Sequence, residues 1–181
     1  MALKLQESTY SVHVPLIDRT FEFKYSAALV PILVLGGRLS FGWIFIWSGF
    51  DKLITDFSAE GFLVNASRGP LDGIFIDMST SEAALDVIDP LIIWGQILIG
   101  FSLILGFFTR LGFLFAAIQI FLFYLAQLYP ENNPFLDFHL IYIGIFALLG
   151  AMGAGRVLGL DALVEKTEVV KKIPALRWLM G

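Results

Sequence analysis

Arg38, Gln96, Gln119, Asp137 and His139 stand within or at the edge of long apolar runs, where polar groups need a reason to be. An arginine inside a membrane-spanning helix costs about 2.5–3.5 kcal/mol on insertion scales, so it should face the interior and find partners there. Stepping 100° per residue puts Arg38, Gly42, Phe45, Gly49 and Lys52 on one narrow arc, with two glycines that let another helix or a ligand approach closely. Two roles are open to Arg38: to bind or orient a polar group of a ligand, or to anchor carbonyls and amides of neighbouring helices. Asp137 precedes His139 by two residues, and a carboxylate beside an imidazole can move a proton near neutral pH. Arg38, Asp137 and His139 are thus the candidate catalytic residues. Arg38, Lys52, Gln96 and Gln119 are the candidate cofactor-binding residues, although a glutamine in a span serves equally well as an interhelical hydrogen-bonding group. Asp137, His139, Gln127, Gln96, Asp51 and Lys52 are all expected at one depth, near one end of the helices.

Four apolar runs must position these groups, at about 27–50, 91–108, 111–128 and 135–152. A span needs roughly 20 residues at 1.5 Å rise, with about 17 as the lower limit. The chain is 57% hydrophobic with a mean hydropathy of +0.80, and runs with so few charges leave no polar face for water. The expectation is an all-α fold: an integral membrane four-helix bundle with a long first extracytoplasmic loop and a C-terminal interfacial amphipathic helix over about 158–180, broken at Pro174. The second run opens at Asp89-Pro90, and Arg38 falls near the middle of the first. Three segments follow: 1–25 as a cytoplasmic N-terminal segment, 26–157 as the transmembrane domain and 158–181 as a cytoplasmic tail. Lys4, Arg19 and Lys24 precede the first run, Arg110 sits in the second connection, and five more Lys and Arg residues follow the fourth run. This distribution places both termini on the cytoplasmic side. The alternations Ser11-Val12-His13-Val14 and Phe21-Glu22-Phe23-Lys24-Tyr25 fit short strands.

Composition closes off several chemistries. No cysteine is present, which removes disulfides, thiol relays, iron–sulfur clusters and covalent haem attachment. Two histidines, His13 and His139, leave little for a histidine-rich metal site, and neither metal nor haem is expected. A net charge of −4, with no basic, aromatic-interleaved segment, argues against nucleic acid as a partner. The polar first 25 residues lack the apolar stretch of a signal peptide.

Five motifs, in order and spacing, carry a resemblance. They are Arg38-x3-Gly42-x2-Phe45-x3-Gly49-x2-Lys52; Gly61-Phe62-Leu63-x-Asn65-Ala66-Ser67-x-Gly69-Pro70-Leu71; Leu103-x-Leu105-Gly106-x2-Thr109-Arg110-Leu111; Asn133-Pro134-Phe135-Leu136-Asp137-x-His139-Leu140-Ile141-Tyr142; and Gly153-Ala154-Gly155-Arg156-x2-Gly159-Leu160-Asp161. The chain resembles the DoxX/DoxD family of small four-helix membrane proteins over about 38–161. Phe138 departs from the pattern, since relatives often carry an acidic residue there. The resemblance implies a membrane subunit linked to quinone redox chemistry, carrying electrons from thiosulfate to quinone with a partner subunit. In that reading Arg38 engages the quinone head or the sulfur anion, while Asp137 and His139 handle protons. Two other functions fit the same residues: an accessory subunit of a larger membrane complex without catalysis of its own, and a small-solute or lipid transporter, which with four helices would need a dimer. Membrane lipid, and a protein partner or a second copy of the chain, are the expected partners.

Overall fold

The computed structural model describes residues 7–130, 133 and 136–181. Lys4, Pro134 and the start of the fourth run at Phe135, all used in the sequence reading, lie outside the described residues.

The chain opens with an antiparallel hairpin of β1 (Glu7–Val14) and β2 (Arg19–Ser26), so the two alternating stretches do pair. Six longer or shorter helices follow: α1 (Leu29–Ile54), α2 (Glu60–Asn65), α3 (Asp72–Ser79), α4 (Glu82–Leu105), α5 (Thr109–Ala126) and α6 (Phe138–Ala151). A 3-10 turn (Ala154–Arg156), α7 (Asp161–Val164), α8 (Glu168–Lys172) and a second 3-10 turn (Pro174–Trp178) complete the chain.

Among the described residues, α1, α4 and α5 are long and apolar enough to cross a membrane. Their outward faces carry Ile32, Leu33, Trp43, Trp47, Leu98, Phe115 and Leu122, all exposed. Only 22–28% of each apolar window is buried within the protein, which leaves much of their outward surface for lipid. The fourth run forms a helix, but a shorter one than expected. α6 has 14 residues, about 21 Å at 1.5 Å rise, against a hydrocarbon core of about 30 Å. It starts at Asp137, whose Oδ1 accepts from the amides of His139 (3.1 Å) and Leu140 (3.3 Å).

α4 begins earlier than Asp89-Pro90. Ser81 caps it, its Oγ accepting from Ala84 N at 3.3 Å, and Pro90 lies inside the helix. Asp89 has other work: its Oδ1 accepts from Ala59 N at 2.7 Å and ties the loop before α2 to α4. The first connection is therefore residues 55–81, with helices of its own. Its middle, between α2 and α3, docks on the end of α5 through Arg68 N to Ala126 O (2.9 Å) and a parallel bridge between Arg68 and Gln127.

The expected C-terminal amphipathic helix is replaced by short turns. Gly181 N donates to Asp161 Oδ2 at 2.9 Å and Leu111 N donates to Leu179 O at 3.2 Å. A continuous helix over those 20 residues would hold its ends about 30 Å apart. The tail instead folds back, burying Val170 and Met180 against the helix ends.

The core is Val34, Phe45, Ile99, Leu103, Phe113, Ala116, Phe146, Leu149 and Ala154, with Phe41 packed edge-on to both Phe146 and Tyr142. α1 and α4 meet most closely at Gly42, Gly49 and Gly100. A Cβ added at Gly100 would lie 2.5 Å from Ile46 N and 2.9 Å from Gly42 O, both backbone atoms that cannot swing aside. Gly100→Val should therefore destabilise the protein by about 1–3 kcal/mol, read as a lower denaturation midpoint in detergent. An unchanged midpoint would mean that α1 and α4 do not pack this closely.

Candidate functional site

Arg38 lies on the predicted inner arc of α1, where Gly42, Phe45 and Gly49 are also buried and Lys52 is half-buried. Arg38 is level with the end of α4 and the exit from α6, because the start of α1 runs past those ends. Nη1 donates to Ala154 O (2.7 Å) and Val157 O (2.9 Å), and Nη2 to Leu158 O (3.3 Å). These carbonyls follow α6, where an apolar chain leaves acceptors without partners. Gly106, in the left-handed conformation that ends α4, and Gly159 close over the guanidinium. A Cβ at either would lie 2.7 Å from Nη1.

Beside this cradle Asp161 is fully buried. Its Oδ1 accepts from Phe108 N (2.7 Å), and its Oδ2 from Thr109 N (3.1 Å), Thr109 Oγ1 (2.5 Å) and Gly181 N (2.9 Å). A carboxylate at this point complements the positive end of α5 and satisfies its first amides. Phe108, the residue before α5, has φ 51° and offers no side-chain oxygen of its own, so the cap comes from 53 residues away. Three of the sequence motifs, around Arg38, Gly106–Thr109 and Gly153–Asp161, thus converge on one polar cluster. Further out, Arg156 pairs with Glu165 (2.7 Å) and holds its carboxyl below the usual range, chiefly through that hydrogen bond.

Asp137 and His139 sit at the opposite end of α6, about 21 Å along its axis. Asp137 Oδ2 and His139 Nδ1 are 2.5 Å apart, and both side chains are nearly buried. The ring stacks on Phe138 and meets Tyr124 edge-on. Asp137 also borders a small polar pocket of about 310 Å³, with Arg68, Gln127 and Asn133. Of the residues expected at this level, Gln127 thus joins Asp137. Lys52 is bonded to Ser48 O (3.3 Å) and lies over the Phe57 ring, and Asp51 is exposed. Arg68 was visible in the sequence only as a loop charge, and nothing in its spacing ties it to Asp137.

A half-enclosed cleft of about 900 Å³ lies between α4 and α5, roofed by Phe62 and Phe75 of the first connection. Its walls are almost wholly apolar, with Leu91, Trp94, Leu98, Phe115 and Leu122 along them. Two polar side chains line it: Ser102, whose Oγ donates to Phe107 O at 2.7 Å, and Gln119, whose Oε1 is buried without a partner. Gln96 also has a buried, unpartnered Oε1 but lies on the α1 side of α4, next to Ile97 where that residue meets Gly49. Of the four candidate cofactor-binding residues, Gln119 alone lines this cleft. Among the described residues, no group of three His, Cys, Asp or Glu side chains is placed to hold a metal ion.

Helices that expose their outward faces to lipid, a lipid-accessible apolar cleft and a polar brace at one end define a small multi-helix membrane protein. The DoxX family profile matches residues 33–127, 95 of the 181 in the chain, and the protein belongs to that family. The matched segment runs from α1 to α5 and includes Arg38, Lys52, Gln96 and Gln119; Asp137, His139 and Asp161 lie beyond it. Comparison with curated proteins and with solved structures gives no match.

Proposed function

We propose that this chain is a membrane subunit that holds a quinone in the cleft between α4 and α5 and works with a partner that supplies electrons. The observation that carries the reading is the Gln119 amide, whose unpaired oxygen is buried in the wall of an almost wholly apolar, half-enclosed cleft of about 900 Å³. Pockets of roughly 300–1,000 Å³ with few polar groups suit small lipophilic ligands. A quinone enters from lipid, and its ring oxygens need one or two hydrogen-bonding partners. Gln119 offers both kinds once its amide turns to face the cleft: its NH₂ donates to a carbonyl, and its Oε1 accepts from a hydroxyl. The quinone supplies the two-electron chemistry that none of the side chains here can. Asp137 and His139 are the proton-handling pair in this reading, with Tyr124 of α5 edge-on to the imidazole. Thiosulfate is the donor this reading favours, by the DoxD-like order of the motifs. Both termini are cytoplasmic in it, by the distribution of Lys and Arg.

A test is titration of the purified, reconstituted chain with a short-tailed quinone, followed by quenching of Trp94, with the other tryptophans replaced by phenylalanine. Saturable quenching is expected, weakened about 2- to 10-fold by Gln119→Leu, which removes a net contribution of about 0.5–1.5 kcal/mol. Quenching that never saturates, or is indifferent to Gln119, would sink the cleft as a quinone site. Thiosulfate-dependent reduction of the quinone is expected only once a partner subunit is added.

One observation favours a second reading, an accessory subunit without catalysis of its own. Arg38 gives its terminal nitrogens to backbone carbonyls, as a brace does, although its Nε is buried without a partner.

A further inference from the structure

The N-terminal hairpin has no buried residue among Glu7–Ser26. A two-stranded hairpin alone in water is marginal at best, so something must cover it. Its register sorts the side chains cleanly. Tyr10 faces Phe23, Val12 faces Phe21 and Ser8 faces Tyr25, while Ser11, Thr9 and His13 face Glu22, Lys24 and Thr20. Because side chains alternate along a strand, the first set forms one aromatic face and the second one polar face. The polar face has contacts of its own, with His13 Nδ1 3.4 Å from Thr20 Oγ1. The turn between the strands is apolar too: Leu16 is 93% exposed, and Ile17 is exposed beside it.

We infer that this hairpin lies flat on the bilayer surface, with Tyr10, Val12, Phe21, Phe23 and Tyr25 in the lipid interface. Continuity with the membrane-spanning part argues for lipid as the occupant. Leu29, the first residue of α1, is exposed, apolar and three residues beyond Ser26, whose Oγ accepts from Leu29 N at 3.2 Å. Three residues reach at most about 11 Å, so the hairpin is held at the membrane end of that helix. A flat surface covers both the aromatic face and the Leu16-Ile17 tip, whereas a second hairpin stacked on the face leaves the tip in water. Tyrosine, with an apolar ring and a polar end, suits this depth. The hairpin carries Glu7, Asp18 and Glu22 against Arg19 and Lys24, so charges nearly cancel and attachment is apolar rather than electrostatic.

The chain has no cysteine, which makes single-site labelling clean. Nitroxides placed by Phe21→Cys, Phe23→Cys and Tyr25→Cys, and separately by Thr20→Cys, Glu22→Cys and Lys24→Cys, would be read in proteoliposomes of neutral phospholipid. The first set should collide with lipid-soluble oxygen several-fold more, relative to a water-soluble nickel complex, than the second. The period-2 pattern itself reports that the strand is intact, and it should persist at high salt. Leu16→Cys gives a second reading at the tip that does not depend on strand packing, and it should follow the first set. Equal access of the nickel complex to both sets would overturn the inference. So would shielding of the first set from both probes together with spin–spin broadening that disappears on dilution into excess lipid, since a second copy would then be the cover.

Discussion

Arg38→Ala is expected to lower the stability of the folded protein by about 3–5 kcal/mol, the range for removing one partner of a buried, charge-assisted set. The substitution removes the Arg38 donors from the Val157 and Leu158 carbonyls and leaves Ala154 O with the amide of Val157 (3.3 Å), beside the close approach of Gly106 and Gly159. It also empties a fully buried side-chain volume. Arg38→Lys should recover part of the loss, since an ammonium donates to one or two of these oxygens but lacks the planar fork that reaches all three. Reversible unfolding in mixed micelles, followed by circular dichroism, measures both. The contrary outcome is informative. Unaltered stability in Arg38→Ala, with quinone binding or turnover lost, would make Arg38 a ligand group and not a brace.

The sequence announced Arg38 as exceptional but not its partners. Its inner arc follows from helical period alone, and that arc is observed at Gly42, Phe45 and Gly49. Its acceptors are backbone oxygens 116–120 residues away, and no side-chain pattern marks a carbonyl as an acceptor. The helices themselves were legible because apolar runs have only one economical backbone solution in lipid. Their ends were less so. Pro90 reads as a helix start, yet it stands in the ninth position of α4, since Ser81 provides a better cap and Val87 and Ile88 extend the apolar surface. The tail mixes aliphatic and basic residues as an interfacial helix would. What breaks it into turns is a tertiary demand, the return of Gly181 to Asp161, which local periodicity does not encode. In the same way, Asp137 and His139 are neighbours in sequence and meet in space, whereas the cleft around Gln119 is assembled from α2 to α5 and has no linear signature.

Asp161→Ala should be comparably costly, about 3–5 kcal/mol, although this residue lies in a connection that looks unremarkable in sequence. Alanine leaves the amides of Phe108, Thr109 and Gly181 and the Thr109 hydroxyl without their acceptor, in a site with no exposed surface at Asp161 or Thr109. Each buried donor left unsatisfied costs about 1–3 kcal/mol, moderated here by whatever water the vacated space admits. Asp161→Asn separates charge from hydrogen bonding. It keeps one acceptor oxygen but removes the negative charge at the start of α5 and turns the other oxygen into a donor facing donors. It should therefore recover little of the loss. Because Asp161 and Arg38 hold the same junction of α1, α4, α5 and the tail, their effects should not add: the double variant should be less destabilised than the sum of the single ones by 0.5 kcal/mol or more, roughly the threshold for coupled neighbours. Strict additivity in that cycle would mean two separate clamps. A positive coupling would make the cluster one brace, on which the position of α5, and with it the wall of the cleft that carries Gln119, depends.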